Sequence, residues 1–538
     1  MKSIQWYALA CASMVLAGCP QDRKAEQAVA SHASAARTAL TSPSTTVAAS
    51  GVTLTLDTLP VAGMTNKGDP YIATMSGTWQ ATSAGTVYLQ VSDSAGAFVA
   101  PAATLAPTKQ STYRIGLGWP ASMAPGVYTG TLSVRACEDD LCAQPYAGTL
   151  HSVGYTMTVN KVGEWETLQR TSRHDGYVPV TIDATRYHTA WTFENATYSL
   201  SGVVTDGSNV YFAERGTSSV YAKRATDGAT QWRRVFTGSY GSGPALSPPT
   251  VSDGVVYIAT TGHADTWLYA LQASDGMQSF QSQFSTQWAD ILNPTVRNGQ
   301  VYVNSGYYDG VVYAFSIADG AASWNAAGGT YGMNTPAADD DFVYAYNGGT
   351  LDVFSAVDGS VSASIGPGSG GSGSDYNGTT VLGSPDHVLT YSGFGSYGTG
   401  GSRQLLDYSV ARQAMRWMSN ALYSNYFAVA KGVVYATSNE TSSFDALDEA
   451  TGRVLWSWKP LEPSVSFTGN VVVTDNVAFV STQTRIYAID LRRHRAVWSA
   501  ATHGTMSLSA GRMLFVTTPG DNYSYPSTFA RITAYRLD

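Results

Sequence analysis

Charge is scarce in this sequence. Asp, Glu, Lys and Arg make up 13% of its 538 residues, against roughly 25% in an ordinary globular chain. The net charge is −8 and no basic stripe runs along the chain, which argues against nucleic acid as a partner. Cysteine is scarcer still. There are four, and none follows Cys142, so no thiol chemistry or cysteine cage can lie beyond that point. The eight histidines (32, 151, 174, 188, 263, 387, 494 and 503) are scattered, without HxH or HExxH spacing. No GxSxG nucleophile elbow and no phosphate loop is present; the Gly-rich run 366–378 is broken by Ser and has no helical pattern after it. These absences leave no recognisable enzyme constellation and no cofactor site. What the chain does have is Gly (53) and Tyr (33) in abundance, the composition of a turn-rich all-β protein. Its length calls for two or three domains.

Residues 1–19 read MKSIQWYALACASMVLAGC. Lys2 is a basic start and Ile4 to Ala17 an apolar run too short to span a membrane, the pattern of a secretory leader over 1–18. Leu16-Ala17-Gly18-Cys19 resembles a bacterial lipobox, which implies cleavage before Cys19 and lipidation of that residue; the alternative is an ordinary leader with an incidental Cys. Pro20 stands where an inner-membrane lipoprotein carries Asp, so the outer membrane is the expected location. Residues 19–50, rich in Ala, Ser and Thr, read as a flexible tether with a reach of roughly 30 Å. Cys137 and Cys142, spaced C-E-D-D-L-C, read as a disulfide at a hairpin tip in an oxidising compartment. A metal site built with Glu138, Asp139 and Asp140 is the weaker reading, since two thiols without a His fall short of a zinc ligand set.

Residues 51–160 alternate by face in the runs 52–56, 86–92, 111–118, 126–137 and 152–159, punctuated by Gly, Pro, Ser and Asp. Five or more strands in this length predict a β-sandwich. The segment PGVYTGTLSVRACEDDLC resembles the penultimate hairpin of bacterial Ig-like domains, a module expected to act as a spacer or contact surface.

Residues 163–538 are organised by one repeat. Tyr221–Trp232 reads YAKRATDGATQW, and it returns as YALQASDGMQSF (269–280), YAFSIADGAASW (313–324), DALDEATGRVLW (445–456) and YAIDLRRHRAVW (487–498), with weaker copies at 352–363 and 406–417. The steps of about 39 to 54 residues are those of propeller blades. Each copy predicts strand, tight turn and strand: β-branched and aromatic residues suit a pleated surface, and Asp-Gly suits a two-residue hairpin turn. A second series of turns precedes the copies, at Asp206-Gly207, Asp253-Gly254, Asn298-Gly299, Asp339–Asp341, Ser384–Asp386, Lys431-Gly432, Asp475-Asn476 and Ala510-Gly511. Eight such turns predict eight four-stranded blades. Seven outer strands follow in order and the eighth is missing at the C-terminus, so YHTAWTF (187–193), with Trp191 in register, is expected to complete the last blade and close the ring.

The repeat YAxxxxDGxxxW and the lead-in WETLQRTSRHDGYVPV (165–180) resemble the PQQ-like, or quinoprotein, β-propeller family. Quinoprotein dehydrogenases of that family hold their cofactor over the propeller centre beside a vicinal Cys pair, which this chain lacks. The resemblance therefore points to the BamB-like branch, outer-membrane lipoproteins with eight such blades that serve as scaffolds in β-barrel assembly. It implies an envelope protein partner, such as the barrel-assembly machinery, a monomeric chain held to the membrane by its N-terminal lipid, and no cofactor. A surface that binds glycans or other cells is the runner-up, and an enzyme the third reading, which a cluster of perturbed carboxylates in the central channel would raise.

In a propeller the strands a to d of each blade alternate in direction. The a–b and c–d turns share one face and the b–c and d–a loops the other. The second set is long, variable and aromatic here, and variable loops on a rigid scaffold are where binding resides. Tyr240, Trp288, Tyr307, Tyr331, Tyr423 and Tyr426 are the candidate partner-binding residues.

Overall fold

The computed structural model describes residues 51–537, apart from 58–61, 70, 83–85, 100–102, 106–109, 121, 196–198, 239–242, 262–265, 286–292, 306–309, 329–333, 367–378, 393–402, 463–464 and 521–528. The expected leader, Cys19 and the tether lie outside the described residues. The chain forms two compact units, 1–161 and 162–538.

The first unit is a two-sheet sandwich. One sheet places Tyr71–Ala81 between Val52–Leu54 and Gln110–Trp119; the other has five strands centred on Gly126–Cys137. Met75, Trp79, Leu117, Val134 and Met157 fill the space between them. Cys137 and Cys142 form a disulfide. The Asp139 carboxylate accepts the backbone N–H groups of Leu141, Ala143 and Gln144, so its role is to shape the loop the disulfide closes. The long strand Tyr71–Ala81 escaped the sequence reading. Its inward residues Ala73, Met75, Gly77 and Trp79 do alternate, but they are small or isolated enough to read as a loop.

The second unit carries eight blades of four antiparallel strands. Blade 1, for example, runs Val204–Thr205, Asn209–Glu214, Ser219–Arg224 and Thr230–Val235. Strand d of blade 8 is Tyr187–Asn195, paired along Ala530–Leu537 from Leu537↔Tyr187 to Ala530↔Asn195, so the ring is closed by its own N-terminal strand. Opposite Trp232 on strand c stands Ala222; the same pairing recurs as Ala314↔Trp324, Ala446↔Trp456 and Ala488↔Trp498, and in the closing blade as Ala534↔Trp191, each next to a bulge.

The reason for the repeat lies between blades. In several blades the indole covers the Gly of the next blade's c–d turn: a Cβ on Gly228 would stand 2.8 Å from the Trp191 ring, and one on Gly276 2.7 Å from Trp232. The indole N–H then donates to that turn, from Trp191 to the Ala225 carbonyl at 2.7 Å and from Trp232 to the Ala273 carbonyl at 2.9 Å. Where blade 4 has Ala363 in place of Trp, the facing turn of blade 5 has Gln413 in place of Gly.

Two expectations need correction. The Asp-Gly of the repeat does not make a two-residue turn. Arg224 bonds to Ala229 across four residues, with Gly228 alone at positive φ, 71°, because the Asp227 carboxylate fixes the loop by accepting the Ala229 N–H. The two-residue turns with paired positive φ are in the a–b series, at Asp253-Gly254, Asn298-Gly299 and Lys431-Gly432. Nor does every blade change carry a loop. Ala414–Ala430 is one 17-residue strand that serves first as strand d of blade 5 and then as strand a of blade 6.

Candidate binding site

The site that the fold builds is its axis. Eight strands a surround the bore with edges that lack a neighbour within the blade, and buried backbone groups must be paired. The lead-in segment supplies the partners. Backbone carbonyls accept an N–H from blade after blade: Trp165 from Thr205, Glu166 from Val251, Ser172 from Ala338, Arg173 from Leu382, Asp175 from Val429 and Gly176 from Val473, each at 2.8 to 2.9 Å. Thr167 Oγ1 donates to the Pro294 carbonyl at the start of blade 3 (2.9 Å), and the Glu164 carboxylate accepts the Ala510 N–H of blade 8 (2.8 Å). Residues 164–176 thus touch all eight blades and plug the bore.

Side chains complete the plug. Gln169 Nε2 donates to the Phe427 carbonyl at 2.8 Å, and its Oε1 accepts from Asn470 Nδ2 at 2.7 Å. His174 is fully buried. Its Nδ1 lies 3.1 Å from the Thr380 carbonyl and its Nε2 3.3 Å from Thr295 Oγ1. Burial pushes the imidazole down to about 4 from its ordinary 6.5, against a smaller upward pull from the Thr380 carbonyl. The folded protein therefore binds this proton less readily than the unfolded chain. The resulting stability is complete above pH 6.5 and is lost as pH falls towards 4. By pH 4.5 the loss is about 2–3 kcal/mol. Denaturant midpoints at pH 7.5 and 4.5 are expected to differ less in His174→Asn than in the natural chain; an unchanged difference would remove His174 from the acid response.

On the d–a side of the plug a cavity of about 120 Å³ remains, lined by Leu168, Asn293, Tyr426, Asn470 and Thr505 among others. That is below the roughly 300–1,000 Å³ of a small-molecule site. On the short-turn face two clefts of about 220 and 380 Å³ adjoin, with Arg173 in both. No vicinal thiol pair can stand at the bore, since the chain has no Cys beyond Cys142, and in that respect the residues present do not fit a quinone cofactor. Among the plug's carboxylates, Asp175 is held 3.8 Å from Arg170, and burial raises its pKa against that cation. A second raised carboxylate lies outside the bore. In blade 5, Asp407 takes the place of the Ala that faces Trp, is fully buried 2.8 Å from His387 Nδ1, and is pushed up to about 8 chiefly by burial.

Of the six candidate partner-binding residues, Tyr240, Trp288, Tyr307 and Tyr331 lie outside the described residues. Tyr423 is not on a loop. It belongs to the continuous strand, is 1% exposed and donates to Asp445 Oδ2 at 3.2 Å, so its ring is core and the expectation for it is overturned. Tyr426 also lies in that strand and lines the axial cavity. The plug residues Gln169 and His174 were not singled out as a site by the sequence. Their segment was visible as a motif, but its path through the bore has no periodic signature.

A family profile described as "Outer membrane protein assembly factor BamB" matches residues 174–292 and 217–458, together just over half of the chain. Proteins of that name from Moranella endobia and Yersinia pestis are 31% identical over 179 residues and 35% identical over 126 residues, 30% and 23% of this chain. The chain spans less than half of either relative, 44% and 29% of their lengths. In fold it resembles the crystal structure of BamB from Moraxella catarrhalis (TM-score 0.50, 16% identity, 65% of this chain and 100% of that one) and a europium-containing methanol dehydrogenase (TM-score 0.53, 13% identity, 70% and 98%).

Proposed function

Because the chain belongs to the family of the outer membrane protein assembly factor BamB, we propose that it is a cell-envelope scaffold, tethered to the outer membrane by a lipid on Cys19, whose propeller binds a protein partner through its long-loop face and catalyses no reaction. The partner that best fits the family is the barrel-assembly machinery. The observation that carries this reading is the plug. A bore filled by residues 164–176 and bonded to every blade leaves the outer faces as the place for recognition. A ring closed on itself has no free inner edge to donate. The long b–c and d–a connections then supply the aromatic side chains suited to interface anchors.

The test is capture from detergent-solubilised envelope, with bound proteins identified by mass spectrometry. The natural chain is expected to retain a β-barrel assembly component. A variant carrying Trp288→Ser, Tyr307→Ser and Tyr426→Ser is expected to retain at least about tenfold less, the scale of two or more anchor residues. Recovery of no protein partner by the natural chain would overturn the scaffold reading.

A further inference from the structure

The eight blades are not equivalent in charge. In blades 1 to 4 the residue before the c–d turn's Gly is Asp: Asp227, Asp275, Asp319 and Asp358. Each carboxylate accepts the N–H two residues on, from Ala229, Met277, Ala321 and Ser360 at 2.8 to 3.1 Å. Hydrogen bonds hold Asp227, Asp319 and Asp358 below the usual carboxylate range, the Ser360 hydroxyl first at Asp358 and the backbone N–H first at the other two. In blades 5 to 7 the Asp is gone. The same position holds Arg412, Thr451 and Arg493, and the turns add Arg453, Arg492 and Arg495. All five arginines are exposed. Arg493 pairs with Asp490 at 2.9 Å; among the described residues no ion pair engages the other four. Two carboxylates of blades 5 and 6 have other partners, Asp448 in Thr451 Oγ1 and Asp386 in Arg416. In the sequence the arginines of one blade stand some 40 residues from those of the next, so no continuous basic stripe shows. The blade repeat brings them to one arc of one rim.

Apolar groups stand beside them. His494 takes the place of Gly in blade 7, with φ 53°, and its ring stacks on Trp456 of blade 6 at 4.3 Å and 12°. On the adjoining outer strands Met418, Val454 and Leu455 are 42 to 48% exposed. Cations mixed with aliphatic and indole groups are the chemistry of a side chain layer that meets lipid headgroups. Guanidinium binds phosphate through two parallel bonds.

We infer that the c–d turns of blades 5 to 7 form a docking surface for an anionic lipid bilayer. The commitment to lipid, and not to an acidic polypeptide, follows from shape and charge. The arginines stand on successive turns of one rim, so they present a broad row and not the walls of a groove. The protein's overall charge of −8 opposes any anion except where this arc is presented. The inference rests on the envelope reading above, which puts a membrane within tether reach, and it gives that reading an orientation.

The experiment is sedimentation with vesicles, using the chain without its first 19 residues, which keeps every described residue and has no lipid. Vesicles of phosphatidylcholine with one-third phosphatidylglycerol are expected to bind the protein, with binding falling steeply as salt rises. Pure phosphatidylcholine is expected not to. Arg453→Glu, Arg492→Glu and Arg495→Glu together are expected to lower the partition coefficient by more than ~100-fold, while the corresponding Lys variant retains binding. Equal binding to both vesicles, unaltered binding by the Glu variant, or binding of a polyglutamate peptide but not of anionic vesicles would each overturn the inference. Since this assay uses neither the lipid on Cys19 nor the protein partner, its failure leaves the scaffold reading standing, and loss of partner capture leaves the arc standing.

Discussion

Replacing Trp191 by alanine is expected to cost the propeller about 3–5 kcal/mol and to cost more than the same change at Trp232. Both indoles do the same local work. Each covers a glycine of the next blade and donates one hydrogen bond to its turn. Trp232 follows its own strand c through a four-residue loop, so its blade stays connected if the indole is lost. Trp191 sits on the strand that closes the ring, and no chain turn links that strand to strand c of blade 8, with which it pairs over Tyr187–Asn195. Tyr187 assists from the other end, donating to the Arg512 carbonyl at 2.8 Å and packing against Trp498. Weakening this strand frees two sheet edges at once, and free edges recruit other chains. Calorimetry with light scattering is the check. Trp191→Ala is expected to lower Tm by roughly 5–15 °C and to aggregate on heating, and Trp232→Ala to unfold at a higher temperature. Equal behaviour of the two variants would mean that closure by the N-terminal strand carries no special weight.

Gly176→Val is expected to destabilise the propeller by about 2–6 kcal/mol, although the residue lies in no blade strand. Gly176 has φ +65°, a conformation a β-branched residue resists at a cost of about 1–3 kcal/mol. A Cβ there would also stand 2.8 Å from Gln169 Nε2, 2.9 Å from Ala428 Cβ and 3.1 Å from the Val471 carbonyl, an overpacking cost of about 1–3 kcal/mol more. None of these neighbours can retreat, because Gln169 is bonded to two blades and the other two are strand residues. Gly299→Val is the control. Its φ is +73°, but a Cβ there meets nothing, so only the conformational part applies. Denaturant unfolding followed by tryptophan fluorescence separates the two; a similar loss in both would show that the bore tolerates the added methyl groups and that the plug is loosely packed.

The blade count, the turn series and the closing strand were legible because each is a local pattern repeated at fixed offsets. Trp191 could be placed in the register of Trp232 before any strand was seen. The axis was not legible. Residues 164–176 bond largely through backbone carbonyls, which leave no mark in side-chain sequence, and their contacts differ from blade to blade. Tyr423 misled for a related reason. An aromatic residue after a d strand reads as a loop residue, but here the strand runs on without a turn and buries the ring. The charge asymmetry of the rim was visible in the seven turn sequences, yet it has meaning only once those turns are known to share one face. The long connections proposed to bind a partner are the least legible part, since variable Gly, Ser and Tyr carry no period.

The account stands or falls on the plug, and hydrogen exchange tests it most directly. The inward-facing amides of strands a that donate to the plug, Val251, Ala338, Leu382, Val429 and Val473, are expected to exchange only with global unfolding, as slowly as the central strands of the blades. The plug's own Gly176 amide, bonded to the Gln169 carbonyl at 2.9 Å, is expected to exchange with them. Exchange of these amides within seconds, with the central strands still protected, would mean an open bore and would return an axial ligand, and with it chemistry, to consideration.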